Sequence, residues 1–239
     1  MRSQFAAVGV LLLSLLALGI PAAAAPLTGS AWCQDHASLA VLGDSGSTGL
    51  GTTGYASQDD SYFRTAYGWY KRATDEAKSN YGTASANYAH NGAMAADFLP
   101  GGRWPLTTGA LVQIEQTKPS LAIIELGGNE YLSAQGPDAF RTNLTELVTR
   151  IQTASPRTAV LLVAIWDIAA PGAALPWSQY VGAIRDTAIA RGVAMVDLRQ
   201  YIPRADLDRA GLYNPDRTHL NDAGNMVFAA AAWTWLLSC

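Results

Sequence analysis

Five positions carry residue types that together could perform acyl transfer. Ser45 stands directly after the apolar run 39–42, in Gly43-Asp44-Ser45. A serine hydroxyl attacks a carbonyl only when a base takes its proton. The chain has 3 histidines, so each can be weighed as that base. His36 precedes the apolar run and belongs to its opposite end. His90 closes a second run, with no carboxylate close to it in sequence. His219 follows Asp216 by three residues, in Asp216-Arg217-Thr218-His219. That spacing sets a carboxylate beside one ring nitrogen and leaves the other free to accept a proton. A surface turn in which Asn221 or Asp222 caps the next helix is compatible with the same residues. The developing oxyanion needs donors. Asn91-Gly92 offers a bare backbone N–H, because Gly92 allows close approach. Gly127-Gly128-Asn129-Glu130 offers the Asn129 side-chain amide. Each of these turns alone is commonplace; the combination is not.

Something must bring these scattered residues together. Apolar runs predict strands over 39–42, 84–90, 121–126, 159–165 and 193–196. Helical spacing predicts helices over 61–79, 106–117, 138–154, 177–191 and 221–237. The 46–60 segment, rich in Gly, Ser and Thr, reads as a loop. Strand and helix alternate, and the strands are nearly continuous in apolar residues. A parallel sheet covered on both faces requires that pattern. The expected fold class is therefore α/β, a three-layer α/β/α sandwich with a five-stranded parallel sheet. Sites in such sheets form beyond the carboxyl ends of the strands. Ser45, Gly92, Asn129 and the Asp216/His219 pair all follow strands, in that chain order.

Those positions resemble the SGNH hydrolases, the GDSL esterases and lipases. The Ser, Gly, Asn and His of that family match Ser45, Gly92, Asn129 and His219. The resemblance runs from the first strand to the last helix and implies a flavodoxin-like sheet. It further implies that Ser45 is the nucleophile, His219 the base and Asp216 its orienting acid. The N–H groups of Ser45 and Gly92 and the amide of Asn129 would form the oxyanion hole. Three residues depart from the family pattern: Gly46 in place of Leu, Glu130 in place of Asp and Leu220 in place of Pro. None removes a reacting group, and the first two bear on the acyl pocket.

Composition bounds the remaining possibilities. The chain has 239 residues, with 16 Lys and Arg, 19 Asp and Glu, and 2 Cys. Arg2, the apolar run 5–20 and the alanines 22–25 describe a secretory signal peptide over 1–24. An uncleaved anchor is the alternative. Removal leaves 215 residues, 25–239, with 15 basic against 19 acidic groups and a formal charge of −4. That length suits one domain. A mildly acidic chain without a basic run excludes a nucleic-acid binder, and past the leader no stretch reaches the about 20 apolar residues of a membrane span. No metal or organic cofactor is expected, and the protein is expected to be a secreted monomer. Cys33 and Cys239 are expected to form one disulfide; two buried thiols are the alternative. Cys33 precedes the first strand, and the last helix should run back from His219 towards the same end of the sheet.

Two rival readings are open. Gly49-Leu50-Gly51-Thr52-Thr53-Gly54 spells a dinucleotide fingerprint, but it begins late after the strand and opens no evident helix. A mobile loop beside Ser45 or a plain linker are its other readings. Trp69, Trp104 and Trp177 could instead stack on a ligand in a non-catalytic binding module. Asn143-Leu144-Thr145 is a glycosylation sequon, and Asp167 is a cap or pocket residue at the site rim. The expected activity is hydrolysis of carboxylic esters through an acyl-enzyme on Ser45. The substrate would be a lipid or short-chain ester, or alternatively a carbohydrate O-acetyl group, and transfer to an alcohol is the remaining option.

Overall fold

The computed structural model describes residues 27, 29–168, 173–237 and 239. The expected signal peptide over 1–24 lies outside them. Five strands form one sheet: β1 (Ser38–Gly43), β2 (Ala84–Asn87), β3 (Leu121–Glu125), β4 (Ala159–Ala164) and β5 (Ala194–Asp197). Their order is β2-β1-β3-β4-β5 and every pairing is parallel. β1, β3 and β4 are apolar at almost every position because both faces are covered. The order places β1 and β3 side by side at the centre. The strand order reverses there, with β2 on one side of β1 and β3 on the other, and such a switch point opens a crevice at the strand ends.

Helices supply the outer layers. A short α1 (Ala31–Gln34) and α2 (Ser45–Thr48) flank β1. The longer α3 (Trp69–Tyr81) packs on α8 (Asp222–Leu236) on one face. On the other, α6 (Pro137–Ala154) packs between α4 (Pro105–Thr117) and α7 (Trp177–Arg191). α6 buries Leu144, Leu147, Val148 and Ile151, a stripe at helical spacing. A short α5 (Gly128–Leu132) follows β3. Among the described residues, no helix is long and apolar enough to cross a membrane.

The structure corrects three expectations. α3 begins at Trp69, not near residue 61. Tyr62, Phe63 and Tyr67 are spaced like a helix face but belong to irregular chain. Other partners take the backbone there: Phe63 N–H donates to Thr48 O at 2.9 Å. Gly68 N–H donates to Thr65 Oγ1 at 3.0 Å, and Tyr62 packs edge-on against Tyr70. The 46–60 loop is interrupted at its start by α2, capped by Asp44. The second strand ends at Asn87, short of His90.

Cys33 and Cys239 are joined by a disulfide. Beside it, the Trp32 indole donates to Leu236 O at 2.9 Å. The start of the described chain is thus fastened twice to the region ending α8, on the side where β1 begins, opposite the strand end that carries Ser45.

Candidate active site

β1 ends at Gly43, and the chain turns directly into α2. Asp44 drives that turn: its Oδ1 accepts the Gly46 N–H at 2.8 Å, an N-cap bond. Ser45 becomes the first residue of the helix, with its hydroxyl facing the crevice. His219 Nε2 lies 3.0 Å from Ser45 Oγ, and His219 Nδ1 lies 2.8 Å from Asp216 Oδ2. Asp216 Oδ1 also accepts the N–H groups of Thr218 and His219, both at 2.9 Å. Burial alone would raise the Asp216 carboxyl, but the His219 and Thr218 bonds hold it below its usual range. It therefore stays anionic and aligns the imidazole.

Three props hold the His219 turn. Trp166, just past β4, donates its indole N–H to Thr218 O at 3.0 Å. Asn214 Nδ2 donates to Gly51 O at 3.0 Å and to Leu220 O at 3.1 Å. Gly51 itself packs behind the turn. A Cβ there would stand 2.4 Å from Asn214 Nδ2 and 2.6 Å from Leu220 O, on a backbone with φ +89. Only glycine tolerates both constraints. The Gly49–Gly54 motif therefore buttresses His219; it opens no helix, and the dinucleotide reading falls.

Two segments face Ser45 from the neighbouring strands. Gly92 has φ +75, and Arg103 Nη2 holds its carbonyl at 2.7 Å. Arg103 is in turn anchored to buried Asp97. Among the described residues, neither the Ser45 nor the Gly92 N–H bonds a protein acceptor, so both are open to a ligand oxygen. Asn129 differs. Its Nδ2 donates to Asp44 Oδ2 at 3.1 Å and to Ala93 O at 3.0 Å. An amide has two hydrogens, so Asn129 reaches an oxyanion only by loosening one of these bonds. Glu130, fully buried, ties the two segments together by accepting the Ala95 N–H at 2.6 Å.

These groups line a cavity of about 200 Å³ that contains Ser45, Gly92, Asn129 and His219, with Leu132, Ile165 and Ile168 as apolar walls. A second cavity of about 500 Å³ adjoins it at Ile168. Its lining includes Arg199, Arg204, Arg217, Asp167 and Asp206, so Asp167 is a pocket residue of that neighbour. Among the described residues, no cluster of His, Cys, Asp and Glu is arranged to hold a metal ion.

The structure thus brings Ser45, Gly92, Asn129, Asp216 and His219 into one crevice. His36 lies elsewhere, stacked on Tyr81, and His90 stacks on Trp104. Trp69 is a core residue, which removes it as an exposed stacking platform, whereas Trp177, also largely buried, lines the second cavity. Sequence reasoning missed Trp166 and Asn214, which carry no local pattern; Asp44 was visible within Gly43-Asp44-Ser45 as a turn cap.

Residues 41–227 match the GDSL-like lipase/acylhydrolase family. The chain belongs to that family. It is a carboxylic ester hydrolase of the SGNH fold. TesA is similar at 23% identity, over 84% of this chain and 98% of that one, with a TM-score of 0.63. A psychrotrophic esterase from Pseudoalteromonas sp. is 19% identical over 82% of this chain and 94% of its own, also at 0.63. A carbohydrate acetylesterase from Sinorhizobium meliloti is 19% identical over 82% and 96%, at 0.61. At these identities the structures testify to the fold. No curated protein sequence matches the chain.

Proposed function

We propose that this esterase works through an acyl-enzyme on Ser45 and cleaves short acyl groups from polar alcohols. The observation that carries the reading is the 3.0 Å approach of His219 Nε2 to Ser45 Oγ, with Asp216 behind the ring at 2.8 Å. Ser45 Oγ gives its proton to His219 Nε2 and bonds the ester carbonyl carbon. The carbonyl oxygen becomes an oxyanion facing the N–H groups of Ser45 and Gly92 and the amide of Asn129. The tetrahedral adduct collapses, and the alcohol leaves with the proton held by His219. Water, deprotonated by the same nitrogen, then attacks the acyl-enzyme and releases the acid and free Ser45.

Substrate size and polarity follow from the two cavities. About 200 Å³ around Ser45 is below the usual range of drug-sized pockets, which favours a short acyl chain. The neighbouring cavity carries three arginines and two aspartates, which suits a hydroxylated alcohol part better than a lipid tail. An acetylated carbohydrate satisfies both, and a carbohydrate acetylesterase is among the similar structures.

The chain is further proposed to be exported, with 1–24 as the leader and 25–239 as one domain. The disulfide supports this, because such bonds persist in oxidising compartments.

A panel of p-nitrophenyl esters and an acetylated oligosaccharide tests the substrate reading. Acetate and butyrate should exceed dodecanoate in kcat/KM by at least about tenfold, as about 1.4 kcal/mol of lost pocket binding requires. A preference for dodecanoate, with the acetylated sugar untouched, overturns it.

A further inference from the structure

Beneath the Ser45 turn lie two carboxyl groups to which the reaction above assigns no task. Glu125 closes β3 and is 0% exposed; Asp44 is 3% exposed. β1 and β3 pair Gly43 with Glu125, which brings Glu125 beside Asp44, the next residue of the chain. Glu125 Oε2 accepts the Ser47 hydroxyl at 2.7 Å. No protein donor among the described residues reaches Oε1. That atom lies directly under the backbone following Ser45: a Cβ on Gly46 would stand 2.8 Å from it. The family's Leu is replaced by glycine just where this carboxyl fills the space.

Two ionised carboxylates cannot share such a place. Even at a protein-like dielectric, like charges about 4 Å apart repel by about 4 kcal/mol. One proton between them removes that cost and gives the lone Oε1 a role as donor. Burial first, and then the Asp44 charge, push Glu125 well above the carboxylate range, against the Ser47 hydroxyl and the Asp44 N–H, which favour its anion. Burial also raises Asp44, but only to about 6. The Gly46 N–H, His219, Glu125 and Asn129 all favour its anion. Glu125 is therefore the acid of the pair and Asp44 the carboxylate. The other titratable groups facing this pair are His219, from its turn, and Glu130, from α5.

We propose that Glu125 is a positioning residue whose proton, donated to Asp44, fixes that carboxylate beneath Ser45. Held from below, Asp44 keeps both upper contacts at once: the Gly46 N–H that shapes the nucleophile turn and the Asn129 amide beside the oxyanion. Without Glu125, rotation of the Asp44 carboxylate sacrifices one of them. This inference rests on the ester-hydrolysis reading of Ser45, but its first test does not.

The full chain is compared with Glu125→Gln and Glu125→Met. At pH 8, infrared spectra of the wild type should show a protonated carboxylic C=O band that both variants lack. Absence of that band overturns the proposal whatever the activity. Gln can donate to Asp44 and accept from Ser47, so its kcat on p-nitrophenyl acetate should stay within about threefold of wild type. Met keeps the length and loses the donor, so kcat should fall by about tenfold or more, with KM within about twofold. The acid limb of the kcat profile should move to higher pH in Glu125→Met alone, since Asp44 loses a partner of its charged form. Full kcat and an unmoved limb in Glu125→Met overturn the proposal. So does a Glu125→Gln variant that folds but loses kcat by tenfold, a result that decides even if the Met variant does not fold.

Discussion

Replacing Glu130 with Gln should leave stability in acid unchanged and raise it in alkali. Glu130 is fully enclosed, with Oε1 on the Ala95 N–H and Oε2 facing no donor. Burial, opposed by that N–H and reinforced by Asp44 and Asp97, pushes its carboxyl from 4.5 up to about 7. The folded value thus lies above the unfolded one. Between pH 4.5 and about 7 the unfolded chain gives up this proton first, so stability falls as pH rises through that window. Below 4.5 there is no penalty; above about 7 it is complete. A displacement from 4.5 to about 7 corresponds to about 3 kcal/mol. Gln keeps the acceptor for Ala95 and never ionises. Its amide leaves a donor without a partner, as the protonated acid does, so the acid-side comparison is level. Urea unfolding at pH 4, 6 and 9 should therefore show the variant level with wild type at pH 4 and about 3 kcal/mol ahead at pH 9. Equal differences at all three values refute the reasoning. Such a result would mean that Glu130 is ionised throughout or solvated on opening.

Three further outcomes follow from the same geometry. Asn129→Ala should lower kcat by about ten- to a hundredfold, at the low end for an oxyanion donor, because the amide must first loosen its bond to Ala93 O; single-turnover kinetics measure it. Asp216→Asn should cost about a hundredfold in kcat and His219→Ala more, since Asn preserves the Oδ1 bonds to the turn while spoiling the Nδ1 contact. Opening the disulfide with Cys33→Ser should lower Tm without changing kcat at 25 °C. The bridge spans a separation of 206 residues, for which chain entropy sets an upper limit of about 5 kcal/mol. Trp32 on Leu236 O keeps part of that restraint.

Much of the scaffold was legible because it rests on periodicity. A strand buried on both faces has to be apolar throughout, so 121–126 and 159–165 announced themselves, and their ends pointed to Asn129 and the neighbouring rim. His219 emerged because only three imidazoles existed and one had a carboxylate three residues before it. What stayed hidden depends on distant contacts. Glu125 ends an apolar run and looks like any polar strand end; only the fold sets it under Asp44. Trp166 and Asn214 hold the His219 turn through backbone carbonyls, which no side-chain pattern encodes. Tyr62 misled because packing against a neighbouring helix needs the same residue type as forming one, and Phe63 packs on Tyr55 of the irregular chain instead. The glycines 49, 51 and 54 spelled a known motif, yet their use is steric: Gly51 makes room behind His219.

The central claim is that Ser45, activated by His219, becomes covalently modified. A phosphonate ester with a good leaving group, followed by mass spectrometry of the intact chain and its peptides, tests it most directly. One adduct per chain is expected, on Ser45, forming fast in the wild type and slowly in His219→Ala, with none in Ser45→Ala. An adduct on another residue, or a Ser45→Ala variant that still hydrolyses p-nitrophenyl acetate at the wild-type rate, contradicts it.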